Sequence, residues 1–158
     1  MNREEMLGAI KKIQGWKIAA DFSVGGLEWI AFSKRCPYML VVISSQKSTM
    51  VDGKTGKIKD CEVEYDEEAL LAYCDGLPDE ELKLAGQYGG KLRDRTARSE
   101  YVDVETDETY VTTIDFVSEK QRIRIFQNYG FYTCGFSYDD NGFVLAYDGG
   151  IILLQRSN

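Results

Sequence analysis

An α+β fold in one domain, mostly antiparallel sheet, is what this sequence predicts, and three observations carry the prediction. A hydrophobic hairpin pattern occurs twice, a capped amphipathic helix opens the chain, and an acidic stretch near the middle reads as a second, short helix. The hairpin pattern organises the rest. Gly26-Leu27-Glu28-Trp29-Ile30-Ala31-Phe32-Ser33 leads through a polar turn to Met39-Leu40-Val41-Val42-Ile43. From Gly130, 104 residues after Gly26, Phe131-Tyr132-Thr133-Cys134-Gly135-Phe136-Ser137 leads through another turn to Phe143-Val144-Leu145-Ala146-Tyr147. Aligned without a gap, the two units share Phe22/Phe126, Gly26/Gly130, Phe32/Phe136 and Ser33/Ser137. Apolar residues also coincide at Leu27/Phe131, Met39/Phe143, Leu40/Val144 and Val41/Leu145. Internal similarity of this kind speaks to architecture. It predicts repeat-like hairpin units near 16–51 and 122–155 inside a single domain, 1–158.

In chain order, Asn2 followed by Glu5 is a capping-box pattern, and Met6, Ile10 and Ile13 form one apolar stripe behind it. Gln14-Gly15 supplies the stop. Trp16 to Phe22 reads as the first strand, and Gly25-Gly26 turns it into the first hairpin unit. After Met50-Val51 the pair Asp52-Gly53, with Gly56 behind it, marks a turn. Ile58 to Tyr65 alternates apolar and charged residues, as a strand with one wet face does. Asp66 reads as the N-cap of the second helix, with Glu67 and Glu68 at its positive end and Leu70, Leu71 and Cys74 on its buried side. Asp75-Gly76 ends that helix and Leu77-Pro78 blocks its continuation. Asp79 to Leu84 fits either a helical turn or a strand. Tyr101 to Val104, Tyr110 to Val117 and Arg122 to Phe126 read as strands. Asn141-Gly142 turns the second hairpin unit, and Ile151 to Leu154, apolar at consecutive positions, predicts a strand covered on both faces.

The totals bound the function. At 158 residues with 44% hydrophobic content, the chain is long enough for a sizeable core. Nineteen basic against 26 acidic residues give a net charge of −7, which disfavours nucleic-acid binding and suits a basic protein partner or plain solubility. The longest apolar run, Met39 to Ile43, is too short for a membrane span, and Asn2-Arg3-Glu4-Glu5 is unlike a signal peptide. No membrane association and a cytoplasmic location are the expectations. Cys36, Cys61, Cys74 and Cys134 are scattered with no C-x-x-C pair, so reduced, structural thiols and no metal site are expected.

Histidine is absent, which removes Ser-His-Asp and Cys-His catalysis. Neither the P-loop nor the dinucleotide-binding glycine pattern occurs. A non-enzymatic protein without cofactors is therefore expected. Two stretches remain as candidate sites. From Asp60 to Glu81 there are ten carboxylates and no Lys or Arg. Glu62, Glu64, Asp66, Glu67, Glu68, Asp75, Asp79, Glu80 and Glu81 are the candidate partner-binding residues, and a shared face would steer a basic partner. A second acidic cluster holds Glu100, Asp103, Glu105, Asp107 and Glu108. The alternative site is the Gly86-to-Gly90 loop, whose free amides with Gln87, Tyr88, Lys91, Arg93, Arg95 and Arg98 would serve a small-molecule-binding or catalytic domain. The competing reading of that loop is a tight turn beside a solvated, ion-paired face.

Gly15-Trp16, Gly25-Gly26, Phe32-Ser33, Asp52-Gly53-Lys54-Thr55-Gly56, Ala85-Gly86-Gln87-Tyr88-Gly89-Gly90-Lys91-Leu92 and Gly135-Phe136-Ser137 resemble, in order, a group of small bacterial proteins common in Gram-positive genomes. The resemblance implies hairpin units like single WD40-type propeller blades, and no activity. Leu77-Pro78, Leu82, Leu84 and Tyr88-Gly89-Gly90 resemble the Leu-Pro, helix, Gly-Gly segment of the SMI1/KNR4 (SUKH) superfamily, although the flanking strands depart from it. That likeness implies an interaction role of the immunity or inhibitor kind, neutralising a basic toxin domain or nuclease.

Overall fold

In the computed structural model, which describes residues 1–157, the chain opens with the capped helix α1, Arg3–Ile10. The Asn2 side chain accepts from the Glu5 amide (2.8 Å), and the Asn2 amide donates back to the Glu5 carboxylate (3.1 Å). Met6 and Ile10 are buried, as is Ile13 just beyond the helix. Asn2→Ala should therefore lower stability by about 1 kcal/mol, the usual worth of an N-cap, in thermal or urea unfolding. A loss below about 0.3 kcal/mol would show that helix packing alone holds this end.

The rest of the described chain is strand and turn. The strands are β1 Trp16–Phe22, β2 Leu27–Phe32, β3 Met39–Ser44, β4 Ser48–Asp52, β5 Ile58–Cys61, β6 Val63–Asp66, β7 Leu71–Cys74 and β8 Leu77–Lys83. They continue with β9 Ala85–Gly86, β10 Tyr101–Thr106, β11 Thr112–Val117, β12 Arg122–Asn128, β13 Phe131–Phe136, β14 Gly142–Tyr147 and β15 Gly150–Arg156. The fold is thus mainly β, and the α+β expectation is overturned. The correction falls on Asp66 to Cys74, which is a β-hairpin and not a helix. Asp66 does cap, but its carboxylate accepts from the Glu68 (2.9 Å) and Ala69 (3.1 Å) amides across a turn. Leu70 then takes φ 56°, a left-handed value that ends any helical path, and β7 pairs back on β6 with Val63 opposite Cys74. Asp79 to Leu84 is mostly strand β8. The predicted Ile58-to-Tyr65 strand is split at Glu62 into β5 and β6, which belong to different sheets.

Four antiparallel sheets result, ordered β10-β11-β12, β1-β15-β14-β13, β5-β4-β3-β2-β9 and β6-β7-β8. They stack in that sequence around three apolar layers. The first layer joins β10–β12 and α1 to the β1/β13–β15 sheet, with Trp16, Phe116, Phe136 and Phe143 meeting at centroid separations of 5.0 to 6.0 Å. The second joins that sheet to β2–β5, and the third joins β2–β5 to β6–β8. Alternating residues of the inner strands feed opposite layers. Ile152 and Leu154 of β15 face the first layer, while Ile151 and Leu153 face the second. Ile30 and Phe32 of β2 face the second, while Trp29 and Ala31 face the third. This double covering accounts for the continuous apolar runs that antiparallel strands with one wet face lack. In β1 a register shift between Ile18 and Ala20 moves the chain from the first layer to the second.

The two repeated segments are the hairpins β2–β3 and β13–β14. Both carry a register irregularity at aligned positions, between Leu27 and Trp29 and between Phe131 and Thr133. Gly26 (φ 67°) and Gly130 (φ 77°) precede them, each carbonyl accepting the amide that follows the second strand, Ser45 and Asp148. Ser33 and Ser137, both fully buried, close the connecting turns. Ser33 Oγ accepts from the Cys36 amide (2.9 Å) and Ser137 Oγ from the Gly142 amide (2.8 Å). The turns differ by one residue: Phe32 pairs with Leu40, and Phe136 with Phe143. Among the described residues no helix is long and apolar enough to cross a membrane.

Candidate functional site

The acidic tract forms the outermost sheet at one end of the stack. Glu64 and Asp66 alternate along β6, on the side away from Val63 and its buried partner Cys74, and Glu62 immediately precedes the strand. Glu64 stands opposite Tyr73, whose hydroxyl donates to Glu81 of β8 (3.0 Å). Glu67 and Glu68 occupy the β6–β7 turn, Asp75 the β7–β8 turn, and Asp79 an irregular stretch of β8. Eight of the nine predicted residues are exposed. The ninth, Glu80, does not reach the surface: it is 6% exposed and accepts from Ser33 Oγ (2.6 Å) and the Lys34 amide (2.7 Å). It holds the first hairpin turn to the acidic sheet.

None of these nine carboxylates forms a salt bridge with a described Lys or Arg. Lys83, exposed at the end of β8, forms none either. The field shows on the neighbouring tyrosines. The hydrogen bond and charge of Glu81 push the Tyr73 phenol above its ordinary range. Partial burial, then the charges of Glu28 and Glu67, do the same to Tyr65. Beside the sheet, Leu27, Glu28, Trp29, Glu67 and Tyr88 line a groove of ≈ 420 Å³, into which Trp29 Nε1 donates to Glu67 (3.3 Å). Tyr88 itself is 83% exposed.

The second acidic cluster lies at the far outer sheet and is ion-paired in part. Asp103 pairs with Arg122 (2.7 Å), and Asp115 pairs with Arg122 and Arg124 (3.0 Å each). Glu100 is buried, and Asp107 accepts the Thr109 and Val111 amides in a turn. Glu105 and Glu108 are exposed. The two acidic clusters therefore share no face.

The glycine loop is closed on itself, the Gly86 amide donating to the Gly89 carbonyl (2.9 Å). A Cβ at Gly90 (φ 75°) would stand 2.0 Å from the Leu84 carbonyl, so backbone crowding demands glycine there. The structure disperses the loop's cations. Arg93 turns inward to Asp140 (2.7 Å) and to the Ser137 and Tyr138 carbonyls. Lys91 and Arg95 both approach Asp94, at 3.8 and 3.6 Å. Arg98 lines a separate cleft with Lys17, Lys54 and Arg156, while Gln87 and Tyr88 stay at the loop tip.

Sequence reasoning missed one grouping. Cys61 and Cys74, thirteen residues apart, are brought together with Asp75 by the β6–β7 hairpin. Burial, then the neighbouring Cys74 thiol, pushes the Cys61 thiol well above its ordinary range. The Val63–Cys74 register would have revealed the pair, but a helix over Asp66 to Cys74 hides it. All four cysteines are free thiols. No family model matches this chain, and neither a curated protein nor a solved structure does.

Proposed function

We propose that this chain is a non-enzymatic interaction protein whose β6–β8 sheet docks a basic protein partner. One observation carries the reading: eight exposed carboxylates lie on and around one outer sheet without a cationic partner, whereas the opposite outer sheet pairs Asp103 and Asp115 with Arg122 and Arg124 and leaves only Glu105, Asp107 and Glu108 exposed without one. Charges left unpaired on a face raise encounter rates with an oppositely charged partner. Tyr65 and Tyr73, exposed among the acids, add the aromatic contact area that binding surfaces favour and faces on which Lys or Arg can stack. The SUKH resemblance directs the proposal to an immunity or inhibitor protein acting on a toxin domain or nuclease. The free thiols suit a reducing cytoplasm.

The test is capture of partners from the native host's lysate at low salt, then association kinetics across a salt series. Reversing Glu64, Glu67, Glu68 and Glu81 to Lys should slow association about tenfold or more, with dissociation changing far less. Reversing Glu105 and Glu108 on the opposite sheet should leave association nearly unchanged. Screening over a Debye length of about 8 Å should erase much of the difference at high salt. A captured partner that tolerates the four reversals, with an on-rate blind to salt, would end the proposal.

A further inference from the structure

Cys61 is the last residue of β5 in an inner sheet, Cys74 is the last residue of β7 in the acidic sheet, and Asp75 follows it in the turn to β8. Cys61 Sγ, Cys74 Sγ and one carboxylate oxygen of Asp75 all lie within 4.8 Å of one another. In a tetrahedral zinc site, with Zn–S near 2.3 Å and Zn–O near 2.1 Å, ligand atoms stand roughly 3.5–3.8 Å apart. The three donors are thus within about an ångström of the required spacing, and Cys74 Sγ already lies 3.8 Å from Asp75 Oδ1. Two thiols with one carboxylate form a soft donor set that suits Zn²⁺ and does not suit Ca²⁺ or Mg²⁺.

The backbone holds this arrangement. The Asp75 amide donates to the Glu62 carbonyl (3.0 Å), and the Glu62 amide donates to Asp75 Oδ1 (3.1 Å). The second bond orients the carboxylate as outer-shell partners of metal ligands do. A cleft of ≈ 330 Å³, lined by Glu62, Val63, Glu64, Tyr73, Cys74 and Asp75, opens beside the cluster and offers an entry path. We infer that Cys61, Cys74 and Asp75 bind a soft divalent cation of the Zn²⁺ class, with the fourth position open to water. Each thiol releases its proton to solvent on coordination, and no redox step is involved. The ion ties the edge strand β5 of the inner sheet to the acidic sheet across the third apolar layer. It acts as a structural clamp, and the inference stands independently of any partner.

The full chain, stripped with chelator and exchanged into chelator-free buffer, is titrated with Zn²⁺ by calorimetry and with Co²⁺ by absorption. The expected result is one ion per chain, a thiolate-to-cobalt charge-transfer band, and a higher melting temperature with Zn²⁺. Cys74 is buried and its replacement can disturb the fold, so Cys61→Ser and Asp75→Asn are the diagnostic variants, each checked by circular dichroism. Either should weaken Zn²⁺ binding by at least about 10–100-fold, the range seen for loss of an outer-shell partner alone. Cys36→Ser and Cys134→Ser should leave binding unchanged. Three results overturn the inference: no ion taken up at micromolar Zn²⁺, uptake by exposed carboxylates that survives Cys61→Ser, or a cobalt spectrum without thiolate character.

Discussion

Arg156→Ala is expected to cost about 3–5 kcal/mol of folding stability, the usual penalty for removing one partner of a buried ion pair. Glu100 accepts from Arg156 Nη1 (3.1 Å) and Nη2 (2.7 Å), from Trp16 Nε1 (2.9 Å) and from Thr96 Oγ1 (3.0 Å). The two charged side chains are 12% and 9% exposed, and the guanidinium also lies 4.4 Å over the Trp16 ring. Deleting it leaves a buried carboxylate with two neutral donors and no counter-charge. Burial by itself raises the Glu100 pKa, but the hydrogen bonds from Arg156 and Trp16 and the charge of Arg156 reverse this and hold it below the ordinary value. A depressed folded-state pKa means that the group's contribution is present above the ordinary carboxylate pKa, about 4.3, and is lost as pH falls through the folded value. The wild type should therefore keep this contribution from neutral pH down to about 4.3. In Arg156→Ala burial dominates and favours the protonated carboxyl in the folded state, so the variant's deficit against the wild type should be largest at neutral pH and narrow as pH falls. Urea unfolding of both proteins across that range checks it. A loss under about 1 kcal/mol at neutral pH, with a deficit that does not narrow on acidification, would contradict the assignment.

Glu80→Ala is expected to lose about 2–4 kcal/mol, while Glu81→Ala should stay within about 0.5 kcal/mol. The two are neighbours on β8 with opposite surroundings. Glu80 leaves two donors behind when truncated, the fully buried Ser33 hydroxyl and the Lys34 amide. Glu81 loses only an exposed bond from Tyr73. Paired denaturation curves for the two variants test this, and equal losses would contradict it. The same turn in the second hairpin supplies its own acceptor, Asp139, which takes the Ser137 hydroxyl at 2.7 Å. The first hairpin borrows its acceptor from another sheet.

Local hydrogen bonding and strict alternation were the legible parts. The Asn2/Glu5 cap is complete within four residues, and Trp16 to Phe22 matches β1 in full. The Ile151-to-Leu154 run reads as doubly covered because its consecutive apolar residues feed two layers. Asp66 to Cys74 misled because an Asp cap followed by acids opens a helix and an Asx turn alike. The difference is the Leu70 backbone, which only the pairing of β7 on β6 decides. Of the candidate site, the acidic residues were legible as a charge run. Glu80 was not legible as buried, since β8 does not alternate simply between Leu77 and Leu82: Pro78 to Glu81 bulge out of register, with Asp79 at φ 60°. Likewise, the inward turn of Arg93 away from the glycine loop depends on Asp140, which is distant in the chain.

The position of β15 has a consequence for how the chain is made. Gly150–Arg156 lies between β1 and β14 and carries side chains into both of the first two layers. Its partner Trp16–Phe22 leaves the ribosome long before it, with Ile18 finally pairing with Leu154. Until β15 arrives, a nascent chain holds β1 without its ladder and β14 with an open edge, and two apolar faces stay wet. The β2–β5 and β6–β8 sheets and their shared layer, by contrast, can assemble earlier from segments close in sequence. Biogenesis therefore divides into an early half that contains the acidic face and a late half that waits on one distant strand, and the interval between them is when the chain is open to edge-to-edge aggregation.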